Sequence, residues 1–234
     1  MQVYQTNIQR LKTFYTSDYY YWLKDNDPKL IDRVRESLYD DPDSCDLILY
    51  KKLALKYKLA QKRYNLFDEV NDYRIKMSAD VVCGSKQLMK LHPNFEVWIK
   101  DYENIRANLD LHFIWPQHKL PTINTYRYTI YHDRIDYLLY DLKCYFEGEN
   151  TPMMKAYCND RTSLWLSKFN NNFCDFVNEM CFSNFVNKNY EVLNIEYGQS
   201  RIIDGNLEDL RSNSHNEISM QDYLEQILAL SISH

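Results

Sequence analysis

Residues 111–149, LHFIWPQHKLPTINTYRYTIYHDRIDYLLYDLKCYFEGE, decide how the fold is read. Ile135, Leu138, Leu139, Leu142 and Phe146 recur at i, i+3, i+4, i+7 and i+11, so they share one face of a helix. Asp133, Asp136, Tyr137 and Tyr140 fall on the opposite face. Asp133 stands where an N-cap carboxylate accepts from the first free N–H groups, and Gly148 is a natural stop. Upstream, Leu111–Trp115 is a short apolar run closed by Pro116. This is expected to be a strand, since proline cannot continue a central ladder. A polar loop, Pro121–Arg127, is expected between strand and helix.

Four polar residues in this stretch, Asn124, Arg127, Asp133 and Arg134, support two readings. A guanidinium pairs in bidentate fashion with carboxylate or phosphate. In the structural reading Arg127 or Arg134 clamps Asp133 or Asp136 and ties loop to helix. In the catalytic reading the arginines hold a phosphorylated or nucleotide ligand, Asn124 orients it and Asp133 is the base.

FIWP, then TIN-x-x-R, then DRIDYLLYDLKCYF, then TPMMKAY together resemble an uncharacterised bacterial family. Its members carry an apolar-Phe-Pro strand end, a Thr-Ile-Asn…Arg loop, an Asp-Arg-Phe-Asp-Leu helix start and a Ser-Pro-Leu segment. Here Ile135 stands for the Phe, Tyr137 for the Leu, and Thr151-Pro152-Met153 for Ser-Pro-Leu. The resemblance spans about 70–200. It implies a shared fold, a bacterial or phage-borne origin and a slightly longer C-terminus in relatives, but no activity.

Composition narrows the function classes. The 234 residues, 45% hydrophobic and 26% charged, suit a globular protein with a sizeable core. A net charge of −5 is too mild to mark a nucleic-acid binder or mimic. Only 4 glycines argue against a phosphate-cradling loop and a turn-rich β sandwich. The 6 cysteines show no C-x-x-C, so reduced, buried thiols in a cytoplasmic protein are expected. Met1-Gln2-Val3-Tyr4 lacks the basic and apolar regions of a signal peptide, and no run is long enough to cross a membrane. His112, His118 and His132 match no metal-ligand spacing, so neither metal nor cofactor is expected.

The rest of the chain reads as an α+β fold, α-dominant, with a small sheet of two to four short strands. It is expected to be one domain, 1–234, with a possible helical subdomain at 1–65 and the family-like region at 66–234. Helices are expected over 1–24, from Asp27-Pro28 to Leu38, and over 86–92 and 94–108. Tyr73–Asp80 alternates like an edge strand, and Glu191–Ile195 like a strand pairing with 111–115. Residues 162–186 are aromatic and helical, with an interruption at Asn170–Asn172. Residues 204–218 read as a loop, after which Ser219 caps a last helix carrying Met220, Tyr223, Leu224, Ile227 and Leu228.

One helix is unusual. Over 44–64, Leu49, Leu53, Tyr57, Ala60 and Tyr64 form an apolar stripe, and Ile48, Leu55 and Leu59 a second one on the far side. Lys51, Lys58 and Lys62 separate them on one flank, Lys52, Lys56 and Arg63 on the other. Long lysines shielding a few exposed leucines would explain this. So would a partner protein docking on the second stripe, or nucleic acid facing the cations. No catalytic signature is present, and 21 tyrosines suit interfaces as well as cores. The expectation is therefore a non-enzymatic protein-binding protein without membrane contact. A counter-defence inhibitor of a host immune complex is one concrete form.

Overall fold

The computed structural model describes residues 17–28, 30–31, 45–82, 108–117 and 121–232. The helices expected over 86–92 and 94–108, the start of the 1–24 helix and most of the one after Asp27 lie outside the described residues. The chain divides into two compact units, Met1–Leu66 and Phe67–His234. A four-stranded antiparallel sheet runs β1 (Ala60–Lys62), β2 (Asn65–Val70), β3 (Tyr73–Val81), β4 (His112–Pro116), and the division falls inside β2. The fold is α+β and helix-dominant.

In the first unit, α1 (Asp18–Asn26) starts on Ser17, whose side chain accepts from the Tyr20 N–H at 3.2 Å. The helix α2 (Cys45–Lys56) is eight residues shorter at its C-terminus than its sequence pattern suggests. Lys58 turns left-handed at φ 53, the Leu59 N–H reaches the Ala54 carbonyl at 2.8 Å, and the Lys58 N–H reaches that of Leu55 at 3.3 Å. That is a Schellman ending built without glycine. It sends the chain into β1 and corrects the expected 44–64 helix.

In the second unit, Asn71 and Asp72 join β2 to β3 with φ of 48° and 66°, the geometry of a two-residue type I′ hairpin. β3 lies between β2 and β4, so the edge position expected for it is corrected; the described edge on this side is β4. β3 and β4 are antiparallel, from Met77 opposite Pro116 to Val81 opposite His112. All five residues of β4 are buried, and Pro116 ends it where no ladder partner is needed.

Trp115 centres an aromatic core. It stacks on Phe176 and Phe182 and meets Trp165 edge-on, at centroid distances of 6.5, 5.9 and 6.2 Å. The helices supplying these rings break where Asn170 and Asn171 adopt φ of 54° and 53°. Asn172 then caps the next helix by accepting from the Cys174 and Asp175 N–H groups. The interruption read at Asn170–Asn172 is therefore real.

Three other expectations change. β5 (Leu193–Asn194) pairs with β6 (Arg201–Ile202), not with 111–115, because β4 is already paired with β3 and Gly198 at φ 60° turns the chain back. The supposed loop at 204–218 contains a helix, Leu207–Asn213, begun by Asn206, with Glu208 and Asp209 in its first turn and Arg211 in its last. The last helix runs Glu217–Ile232; Asn216, not Ser219, accepts from its first N–H groups at 3.0 and 3.3 Å. Ser219 serves another purpose.

Candidate functional site

The polar stretch after β4 is a helix, not a loop. In Ile123–Tyr131, here α3, Thr122 accepts from the Thr125 N–H at 3.2 Å, a hydroxyl cap that local polarity disguised. Asn124 donates to Ser78 Oγ at 3.4 Å from a half-buried position. One turn on, Arg127 is 1% exposed. Its Nη2 lies 2.8 Å from Asp80, 2.5 Å from Asp133 and donates to the Val81 carbonyl at 3.1 Å.

His132 and Asp133 follow at φ 47° and 71°, both left-handed and both residue types that tolerate it. This tight corner returns Asp133 to Arg127, and its N–H to the Arg127 carbonyl. Asp133 is thus a buried ion-pair partner and not the N-cap of the next helix, α4 (Ile135–Phe146). Arg134 occupies the cap position without a side-chain cap bond. The face of α4 opposite the apolar stripe is largely buried as well: Asp133, Asp136 and Tyr137 are enclosed and Tyr140 is half-buried, because neighbouring elements supply partners.

Arg134 is fully buried and uses every N–H it has. Nε and Nη2 grip the two Asp136 oxygens at 3.0 and 2.6 Å, Nη1 donates to Glu196 at 2.5 Å and Ser219 Oγ at 2.8 Å, and Nη2 donates to Asn194 at 3.2 Å. Ser219 in turn donates to Glu196. The guanidinium sits 3.8 Å from the Tyr137 ring centroid and 4.8 Å from that of Tyr223. The free Asp136 lone pair takes the Ile195 N–H at 3.0 Å. Burial alone would raise the Glu196 carboxyl, but the Ser219 and Arg134 hydrogen bonds outweigh it and hold it below its ordinary value. Burial pushes the Tyr137 hydroxyl up to about 12 despite the opposing guanidinium.

The four residues singled out from the sequence therefore do not form one site. Arg127 and Asp133 belong to one buried cluster with Asp80, Arg134 to another with Asp136 and Glu196, and Asn124 reaches Ser78. The missing partners, Asp80, Asn194, Glu196 and Ser219, lie 47 to 85 positions away and carried no local signal.

Farther along α4, Tyr131 donates to buried Asp141 at 2.5 Å, and burial raises that carboxyl above its ordinary range. A cavity of about 400 Å³ lies beside the helix end, lined among others by Cys144, Glu149, Thr151 and Glu208. Burial and the nearby Glu149 and Glu147 push the Cys144 thiol up to about 12, which favours the protonated form. Cys144, Cys158, Cys174 and Cys181 are free thiols, but Cys158 and Cys181 are exposed, against the expectation of burial. His112 and His132 each set Nδ1 on a backbone carbonyl at 2.9 Å, of Asn108 and Ser214; His118 lies outside the described residues.

The face of α2 is different. Leu53, Ala54 and Tyr57 are buried, while Ile48, Lys51, Lys52 and Leu55 are exposed, Leu55 by 81%. Leu59 does not join them: the Schellman turn carries it inward, to 9% exposure, which corrects its place in the second stripe. Lys56 leans over the Tyr57 ring at 5.1 Å, Lys58 sits exposed in the turn and Lys62 exposed on β1. What remains is one helical face, at i, i+3, i+4 and i+7.

A family model described as a family of unknown function, DUF6994, matches residues 25–226. The chain belongs to this family. The match begins well before the stretch that carries the resemblance in the sequence and takes in α2 as well as the α3–α4 corner. No curated protein and no solved structure matches this DUF6994 member. Among the described residues, no helix is long and apolar enough to cross a membrane.

Proposed function

We propose that this DUF6994 chain is a non-enzymatic protein-binding protein that docks through the exposed face of α2. The observation that carries the reading is the closure of Arg134: five N–H donors, all directed at the protein's own acceptors. A phosphate clamp needs donors that converge on open space. Arg127 is buried against two carboxylates as well, which supports the structural reading of the motif over the ligand-clamp one. Leu55, by contrast, is a large aliphatic side chain held in solvent on a regular helix. Inhibition of a host immune complex is the concrete form suggested by the bacterial or phage-like character of the sequence.

Affinity capture from bacterial lysate with the wild-type chain and with Leu55→Ser tests this. A protein retained by the first and lost with the second supports the reading. Equal capture by both, or saturable binding of ATP or inorganic phosphate lost in Arg127→Ala, overturns it.

A further inference from the structure

Resting on the docking role of α2 proposed above, we infer that its occupant is an acidic amphipathic helix. Ile48 and Leu55 stand seven residues apart, about 10 Å along the axis at 1.5 Å per residue. Lys51 and Lys52 lie between them on the same exposed face. Two apolar anchors flanking a cationic centre call for the inverse: apolar side chains two turns apart with carboxylates between. Along the sequence the sign is the same, since residues 44–64 hold six basic side chains and a single acid, Asp46. Exposed Lys58, in the turn that ends the helix, adds a further positive charge.

Geometry also limits the occupant. The positions i, i+3, i+4 and i+7 read the same in both directions, so a partner helix patterned Leu-x-x-Glu-Glu-x-x-Leu meets the face either parallel or antiparallel. The stripe is two turns long, which matches the two-turn repeat of an amphipathic partner helix. A bare polyanion would satisfy the lysines but leave both aliphatic anchors in water. An uncharged apolar helix would cover the anchors and bury two ammonium groups unpaired. An acidic helix does neither. The lysines give rate and specificity, and the aliphatic ends give residence time.

The probe is a 20-residue alanine-based helical peptide carrying that Leu-Glu-Glu-Leu pattern, labelled for fluorescence polarisation against the full chain. Its controls are the same peptide with Lys for Glu, a 20-nucleotide oligothymidine and anionic lipid vesicles. The acidic peptide is expected to bind, at least tenfold tighter at 50 mM than at 300 mM salt. Leu55→Ser, and separately the charge reversal Lys51→Glu with Lys52→Glu, should each weaken it at least tenfold while the melting curve of the free chain stays put. Equal binding of the Lys peptide, or failure of the charge reversal to weaken binding while Leu55→Ser still does, overturns the acidic occupant and leaves the docking face standing. Tighter binding of oligothymidine or vesicles overturns it too, as does self-association of the free chain that Leu55→Ser abolishes. If neither variant alters binding of the peptide or of any protein captured from lysate, the docking role of α2 falls as well.

Discussion

Replacing Arg134 with alanine should be among the most damaging single changes in this protein. The substitution leaves Asp136 enclosed with no counter-charge and Glu196 with only Ser219 and the edge of the network. Removing one partner from a buried ion pair costs about 3–5 kcal/mol, because the orphaned charge stays desolvated. Loss of the stacking between Tyr137 and Tyr223 adds about 0.5–2 kcal/mol. At roughly 2–4 °C per kcal/mol for a chain of this size, the melting temperature should fall by at least about 7 °C and by as much as about 28 °C. Calorimetry at pH 7 measures it, and a pH series separates charge from packing. The Glu196 carboxyl is held below its ordinary 4.5, so the stability it contributes is present above that value and lost as pH falls through the lower folded-state value. The gap between wild type and Arg134→Ala should therefore narrow in acid. Arg134→Lys, which keeps the charge but not the planar fork, should fall between them. A melting temperature within about 3 °C of wild type at pH 7, or a gap that stays constant down to pH 3, would refute the account of a charge-saturated network.

Three other substitutions probe separate parts of the molecule. Arg127→Ala should cost about 3 kcal/mol in urea unfolding, the lower end for a buried pair, because Asp80 is 15% exposed and can rehydrate; no loss would mean the cluster contributes nothing net. Relative to wild type, Asp141→Asn should gain stability as pH rises from about 3 to 7, since burial raises this carboxyl and penalises its charged form. A raised acid favours the native state below the ordinary 3.8 and loses ground as pH rises through the folded-state value, so a difference between the two that stays constant with pH would contradict the raised carboxyl. Leu55→Ser should change stability by no more than about 0.5 kcal/mol, whereas Leu59→Ser should cost about 2 kcal/mol or more, because the two leucines face opposite environments. Equal effects at both positions would contradict the turn at Lys58.

Part of this protein was legible from local pattern. The 3.6-residue period from Ile135 to Phe146, the apolar run into Pro116 and the Asn170–Asn172 break each act within a turn or two of chain, where neighbours in sequence are neighbours in space. Pairing of the two arginines with nearby aspartates followed from the same proximity, since Asp133 and Asp136 lie within six and two residues of their partners. Other features had no local cause. Lys58 accepts a left-handed backbone, a cost of roughly 1 kcal/mol for a side-chain-bearing residue, and the period of α2 continues in sequence past the point where its backbone stops. Long-range packing offsets that strain, so only the folded chain separates Leu55 from Leu59. Whether the motif was a ligand clamp or a structural joint depended on Glu196, Asn194 and Ser219, which reach Arg134 across 60 to 85 residues. Local pattern along the chain was enough for the helix, the strand and the family. Tertiary structure decided what the arginines hold, because a guanidinium's role is set by the acceptors around it in space, and those arrive from segments whose local pattern says nothing of where they will meet.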